Sequence, residues 1–319
     1  MHRYERKPVP RKILIFGAAG HMGGPLAAFL ARHAPDITLR LASRDAQRAN
    51  ALRDHFPTAE VVQADYLDPA SLVSAAEGID GVFVLCPAGT DETVAMSNLV
   101  EALRKVGGKP HIVRQLGMHP EFSRHLIPDW IKAHGKGIPI QHPIAKRILD
   151  ESGFPVTYVN TLATFMDNFI NYMAGPIRTR DQLVWPRRRI SYIDTADVGE
   201  FVGRLFLSDD ARQYGQFHTI NNGQDILGYD DVADMMTEAF GRPISYDSSK
   251  ESYFREYAAM GEETLFYLWS LFEYDSRYEV SWARSDLLEQ YIGRKPKSLS
   301  EWLKENENSF VREHSNVLI

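Results

Sequence analysis

Cysteine is nearly missing from this sequence. Cys86 is the only one in 319 residues, which excludes an internal disulfide framework and a Cys-rich metal site. No apolar run approaches the roughly 18 residues of a membrane helix, and there is no internal repeat or low-complexity linker. The opening Met-His-Arg-Tyr-Glu-Arg-Lys-Pro is basic but lacks the apolar core of a signal peptide. Nor is there an excess of positive charge. The 36 Lys and Arg stand against 42 Asp and Glu, a net charge of −6, which argues against a dedicated nucleic-acid binder. What remains is an ordinary globular composition, 44% hydrophobic and 24% charged, in a chain long enough to bury a large core. The expectation is a cytoplasmic protein that partners neither membrane nor nucleic acid.

Short apolar runs alternate with amphipathic stretches through the first half. Strands are expected at 12–16, 37–42, 60–64, 81–86, 111–116 and 156–160, with helices near 46–55, 69–77, 91–106 and 141–152. Such alternation predicts an α/β protein, a doubly wound parallel sheet with right-handed crossovers. After residue 160 the rhythm breaks into a strand at 189–193 and helices near 197–207, 229–240, 250–272 and 284–291. The expected division is a Rossmann-type core over 1–160, with a returning segment near 186–225, and a smaller, mostly helical substrate lobe over 161–319.

The sharpest feature is Gly17-Ala18-Ala19-Gly20-His21-Met22-Gly23, between the first strand and its helix. Gly17 permits the tight turn, Gly20 admits a pyrophosphate close to the backbone, and Gly23 lets helix and strand touch. Amides of the helix start then face the phosphates. The alternative is a glycine-rich turn in an α/β domain that binds nothing. At the end of the second strand a carboxylate would select NAD, but Ser43-Arg44 stands there, suited to a ribose 2′-phosphate. Asp45 is adjacent, and Arg44 read as a solvated loop charge is the competing view. The expected cofactor is NADP(H), with NAD(H) second. Further contacts are expected from Ala19, His21 and Met22 in the loop, and from Asp65 (to the adenine amino group) and Tyr66. Cys86 and Pro87 should flank the cofactor, with Gln115 and Thr161 on the next strands. Cys86 itself reads as a buried small residue rather than a reactive thiol.

Taken with Ala42-Ser43-Arg44 and Ala64-Asp65-Tyr66-Leu67-Asp68, the glycine loop resembles the NmrA-like family of atypical short-chain dehydrogenases/reductases. Further similarities are Lys146 in His142-Pro143-Ile144-Ala145-Lys146, Phe165-Met166-Asp167-Asn168-Phe169, Ile193-Asp194-Thr195-Ala196-Asp197-Val198, Gly241-Arg242-Pro243-Ile244 and Ile292-Gly293-Arg294-Lys295-Pro296. The resemblance spans nearly the whole chain. It implies a Rossmann core with a substrate lobe and leaves two functions open, because the family holds both reductases and cofactor-binding redox-sensing regulators.

Short-chain reductases use Tyr-x-x-x-Lys on the helix after the fifth strand. Here His142 and Lys146 fill that spacing, on one helical face. His142 is the candidate proton donor and Lys146 the candidate ribose contact. Against this, Lys146 has Asp150 as its i+4 neighbour, and His142 precedes a proline at a helix start. A second Tyr-x-x-x-Lys, Tyr246 to Lys250, lies too far along the chain and reads as coincidence. His119, His125, His134 and His142 crowd one region without metal-site spacing, so no metal is expected. The stretch 118–141 reads as a flexible lid, and Arg187-Arg188-Arg189 as a solvated turn. Met118, His119, Phe165, Tyr172 and Trp185 are candidate walls of a pocket for a small, aromatic, quinone-like or carbonyl substrate. Three functions follow: an NADP(H)-dependent reductase, a non-catalytic regulator, and a nicotinamide-using epimerase or isomerase. An oligomer is compatible with all three.

Overall fold

The computed structural model describes residues 5–87, 89–119, 121–161, 163–278 and 283–312. Its first half runs β1 (Lys12–Ile15), α1 (Gly23–His33), β2 (Thr38–Ser43), α2 (Ala46–His55), β3 (Glu60–Gln63), α3 (Pro69–Ala76), β4 (Gly81–Val84), α4 (Glu92–Val106) and β5 (His111–Leu116). Then come α5 (Asp129–His134), α6 (Ile138–Asp150) and β6 (Val156–Thr161). The expected strands all form, because each apolar run is flanked by a residue that stops it. Aspartates start the helices that follow. Asp45, Asp68 and Asp91 accept hydrogen bonds from first-turn amides of α2, α3 and α4.

The second half holds β7 (Thr164–Phe165), α7 (Asn168–Asn171), α8 (Ala174–Arg180), β8 (Gln182–Val184), β9 (Arg189–Ile193) and α9 (Thr195–Leu207). It continues through β10 (Phe217–Ile220), β11 (Ile226–Gly228), α10 (Tyr229–Phe240), β12 (Ser245–Asp247) and α11 (Lys250–Glu256). The last helices are α12 (Glu262–Tyr278), α13 (Leu287–Ile292) and α14 (Leu299–Glu305). The seven-stranded sheet has the order β10-β6-β5-β4-β1-β2-β3, and every neighbouring pair in it is parallel. The chain therefore returns to the sheet at β10, a strand absent from the expectations. The strand that was expected, β9, pairs instead with β7 and β11 in a small separate sheet.

Apolar side chains cover both faces of the large sheet. Leu26, Leu30 and Leu41 pack with Phe201 and Leu205 of α9 on one face, while Leu72, Leu99 and Leu149 pack with Val82 and Ile112 on the other. A third core, around Phe169, Tyr192, Tyr229 and Trp302, belongs to the second half. Among the described residues no helix is long and apolar enough to cross a membrane.

The segment expected to be a flexible lid is built differently. A 3-10 turn at Glu121–Leu126 and helix α5 bring Ile127 and Ile131 against Tyr267, Leu271 and Tyr274 of α12. Helix α6 then starts at Ile138 rather than 141, so Pro143 lies inside it instead of at its first turn.

Candidate active site

The sheet order reverses between β1 and β4, and in such folds ligands sit beyond the carboxyl ends of the strands at that switch. The glycine loop is there. Gly17 adopts φ +70, and Gly20 N–H closes the turn on the Gly17 carbonyl at 2.9 Å. A Cβ on Gly23 would lie 2.6 Å from the Gly17 carbonyl, so only glycine fits. Gly17, Ala19 and Gly20 are exposed, whereas Met22 is buried in the core and contributes at most its main chain. No side chain caps the start of α1 and its first turn carries no acid, so the positive end of the helix dipole is left uncompensated. These features fit a diphosphate.

At the end of β2 the Ser43 hydroxyl donates to the Asp45 carbonyl (2.9 Å) and accepts from the Asp45 N–H (3.3 Å). Its proton is spent inside the turn, which corrects its reading as a donor to phosphate. Asp45 is the N-cap of α2, accepting from Arg48 N–H at 2.8 Å, and so is not a ribose-binding carboxylate. Arg44 stands exposed between them. Arg48, one turn into α2 and not anticipated, lines an 810 Å³ groove that begins at Ala19 and Gly20. Its signal in the sequence was its place four residues after Arg44.

Asp65 holds Leu67 N–H with one carboxylate oxygen, at 2.9 Å. Tyr66 is a core residue and not a cofactor contact: its ring stacks on Phe16 at 4.5 Å and its hydroxyl donates to the Leu85 carbonyl. Burial pushes the Cys86 thiol up to about 11, so it stays protonated and inert at neutral pH. Pro87 is exposed and its carbonyl anchors a turn at Thr90. Gln115 and Thr161 are buried and bonded to each other, tying β5 to β6, with Gln115 Oε1 left unpartnered.

His21 reaches away from the loop. Its Nδ1 lies 2.9 Å from Asp167 Oδ2, between β7 and α7, and its ring meets Phe165 edge-on at 5.5 Å. The bond to Asp167 raises the His21 pKa.

His142 departs furthest from expectation. Gly117 N–H donates to His142 Nδ1 at 2.8 Å, and Nε2 faces Glu92 Oε1 at 3.7 Å. Burial, reinforced by the nearby Arg114 charge, pushes its pKa down to about 3. With Nδ1 accepting, the neutral ring keeps its one proton on Nε2, turned toward Glu92, and a neutral imidazole is too weak an acid to protonate a substrate at neutral pH, which corrects its reading as proton donor. Glu92 is in turn bound by Arg114 at 2.7 Å, both wholly buried. The single arginine inside an apolar strand was the sequence signal for that pair. Lys146 Nζ pairs with Asp150 at 2.6 Å and sits 4.7 Å above the Tyr158 ring. Tyr158 hydroxyl donates to the same Asp150 at 2.7 Å.

An open cleft of about 1070 Å³ gathers Met118, His119 and Lys146 with Asn160, Thr219 and Phe217. It runs along α6 and the β6–β10 edge, from Met118 just after β5 to Phe217 at the start of β10. Asn160 holds the loop there, accepting from Met118 N–H and donating to the Met118 carbonyl. His119 Nε2 lies 3.3 Å from the buried Asp275 of α12, whose other oxygen is 2.6 Å from Arg188. Burial and the Arg188 charge lower the His119 pKa. Arg188 is thus half-sequestered, not a solvated turn. The remaining wall candidates lie outside this cleft. Trp185 is buried in the core of the second half between Tyr253 and Tyr257, Tyr172 is half exposed, and Phe165 stands beside His21. Among the described residues no cluster could hold a metal.

A doubly wound sheet with a glycine turn after β1 defines a Rossmann-type α/β protein. The chain belongs to the NmrA-like family, whose model matches residues 10–303. It is 24% identical over 237 residues to an NAD(P)H azoreductase of Xenophilus azovorans, covering 73% of this chain and 76% of that one. Its fold matches the triphenylmethane reductase of Citrobacter sp. complexed with NADP(H) (TM-score 0.74, 21% identity, 92% and 99% of the two chains). It also matches NmrA, a negative transcriptional regulator in complex with NADP (TM-score 0.69, 15% identity, 95% of each chain).

Proposed function

We propose that this protein is an NADP(H)-dependent oxidoreductase that reduces a conjugated aromatic acceptor. The observation that carries the reading is the uncapped, glycine-lined start of α1 beside an exposed Arg44. The azoreductase and dye reductase among its relatives support it. Main-chain amides of the glycine loop would hold the diphosphate, and Arg44, backed by Arg48, the 2′-phosphate. A nicotinamide cofactor, when bound, would supply the hydride. Lys146, fixed by Asp150 and Tyr158, faces the cleft in which the acceptor would lie. Its ammonium favours an oxyanion there.

The absence of a donor tyrosine on α6, and the commitment of His142 to Gly117, restrict the chemistry. Reduction of a simple ketone creates a strongly basic alkoxide that needs a placed acid. A quinone accepts hydride to give a delocalised, weakly basic hydroquinone anion that solvent protonates. Such acceptors suit this site, and water is the proton source. The same missing tyrosine favours a second reading, a regulator that binds NADPH without turning it over. A spectrophotometric assay of NADPH loss across quinones, azo dyes and triphenylmethane dyes separates them. Oxidation with at least one class is expected, and tight NADPH binding with no oxidation across the panel would establish the regulator instead.

A further inference from the structure

The cleft along α6 and the β6–β10 edge has a charge at odds with the chain around it. The protein carries −6 overall, yet Arg124, Lys132, Lys146 and Arg147 line this cavity against a single carboxylate, Asp150. Lys146 and Asp150 satisfy each other. Lys132 pairs with Asp129, a carboxylate almost wholly in solvent, so that contact is weak and screened. Arg147 is exposed and has no ion-pair partner among the described residues. The walls between these charges are apolar, from Ile140, Ile144 and Met118 to Phe217, a residue 39% exposed.

We infer that this cleft takes a planar aromatic anion, with Arg147 as the residue that receives its carboxylate, sulfonate or phosphate. The inference rests on the reductase reading and names the substrate class within it. An exposed aromatic ring and aliphatic walls give a flat molecule its contact area. A cavity lined by one sign of charge concentrates counter-ions within it. An arginine fork matches a two- or three-oxygen anion, which a lysine does not. Arg147 lies in the last turn of α6, where its charge also suits the negative end of the helix dipole, but no carboxylate among the described residues neutralises it.

Calorimetry on the full chain loaded with NADPH tests binding directly, using naphthalene-1-sulfonate, 1-naphthoate, 1-naphthyl phosphate and the neutral 1-naphthalenemethanol. At least one anion is expected to bind tenfold or more tightly than the alcohol at low salt, its rank among the three giving the preferred group. The advantage shrinks as ionic strength rises, and Arg147→Gln and Arg147→Glu should reduce it stepwise while thermal unfolding stays cooperative. Equal affinity for anions and alcohol, or a preference untouched by salt and by both substitutions, would overturn the inference. A kinetic arm compares 1,4-naphthoquinone with its 2-sulfonate, read as KM because the sulfonate alters the acceptor's potential. Turnover of both with no KM advantage for the sulfonate removes the anion site and leaves the reductase standing. No turnover of either, nor of any member of the dye and quinone panel, removes the reductase, and the calorimetry alone then decides whether the cleft binds anions.

Discussion

Arg44 and His21 border the same phosphate-binding turn, but they respond to different experiments. Arg44 has no structural partner in the turn, so Arg44→Ala should weaken NADPH about tenfold or more and leave NADH nearly unchanged, as measured by fluorescence titration. Arg48→Ala should add a smaller loss. His21 is held by Asp167, which raises its pKa. The contact therefore stabilises the fold fully below the unfolded pKa of histidine, and this contribution fades as pH rises through the elevated folded value. NMR titration of His21 should show a pKa above about 6.5, and Asp167→Asn should bring it down. A value unmoved by Asp167→Asn would assign the shift to another cause. Residues whose task is set by the backbone, such as Gly17 and Gly23, were legible in the sequence from spacing alone. Tyr66, Ser43 and His142 were misjudged because burial and partners decide the chemistry of a side chain, and neither is written locally.

Among elements, the first six strands and the helices between them were legible because a buried parallel strand is a continuous apolar run between breakers. Pro139 lies in the first turn of α6, and Gly137, just before it, marks its start. β10 was missed, since Phe217-His218-Thr219-Ile220 has neither length nor a clean apolar run. The 118–141 stretch was misjudged because the anchor of its helix α5, α12, lies more than a hundred residues away. Gly137 makes that anchor testable. At φ +87, a Cβ there would fall within 1.9 Å of the Tyr267 hydroxyl. Gly137→Ala should therefore unseat α5 from α12. Limited proteolysis should cut between 120 and 137 far faster than in the parent, with global stability lowered by about 1–3 kcal/mol in urea unfolding. An unchanged cleavage pattern would show that the segment is held some other way.

For the molecule as a whole, burial holds both His111 and His142 at a pKa of about 3, far below the histidine of an unfolded chain. Each must take up a proton when the protein unfolds in mild acid. Their contribution is intact above about pH 6.5 and is lost as pH falls toward the folded values, each steepening the decline by about 1.4 kcal/mol per pH unit. Urea midpoints across pH 7 to 4.5 should fall accordingly, and His142→Gln, which can still accept from Gly117, should flatten the slope. Long-range ties of this kind were the least legible layer. Two sequence motifs a hundred residues apart prove to be one clamp: Asp197 accepts from Arg294 at 2.6 Å and from Lys297 N–H at 2.8 Å, while Lys297 Nζ lies 3.2 Å from Asp194.

The late arrival of β10 has a consequence for how the protein is made. On the ribosome, β1 to β6 emerge in order, yet the strand that shields β6 is not translated until residues 217–220. For some sixty residues of elongation β6 presents bare amides and carbonyls, a template onto which another nascent chain can add. Crowded polysomes, rather than dilute refolding, are where this sequence is most exposed to mispairing.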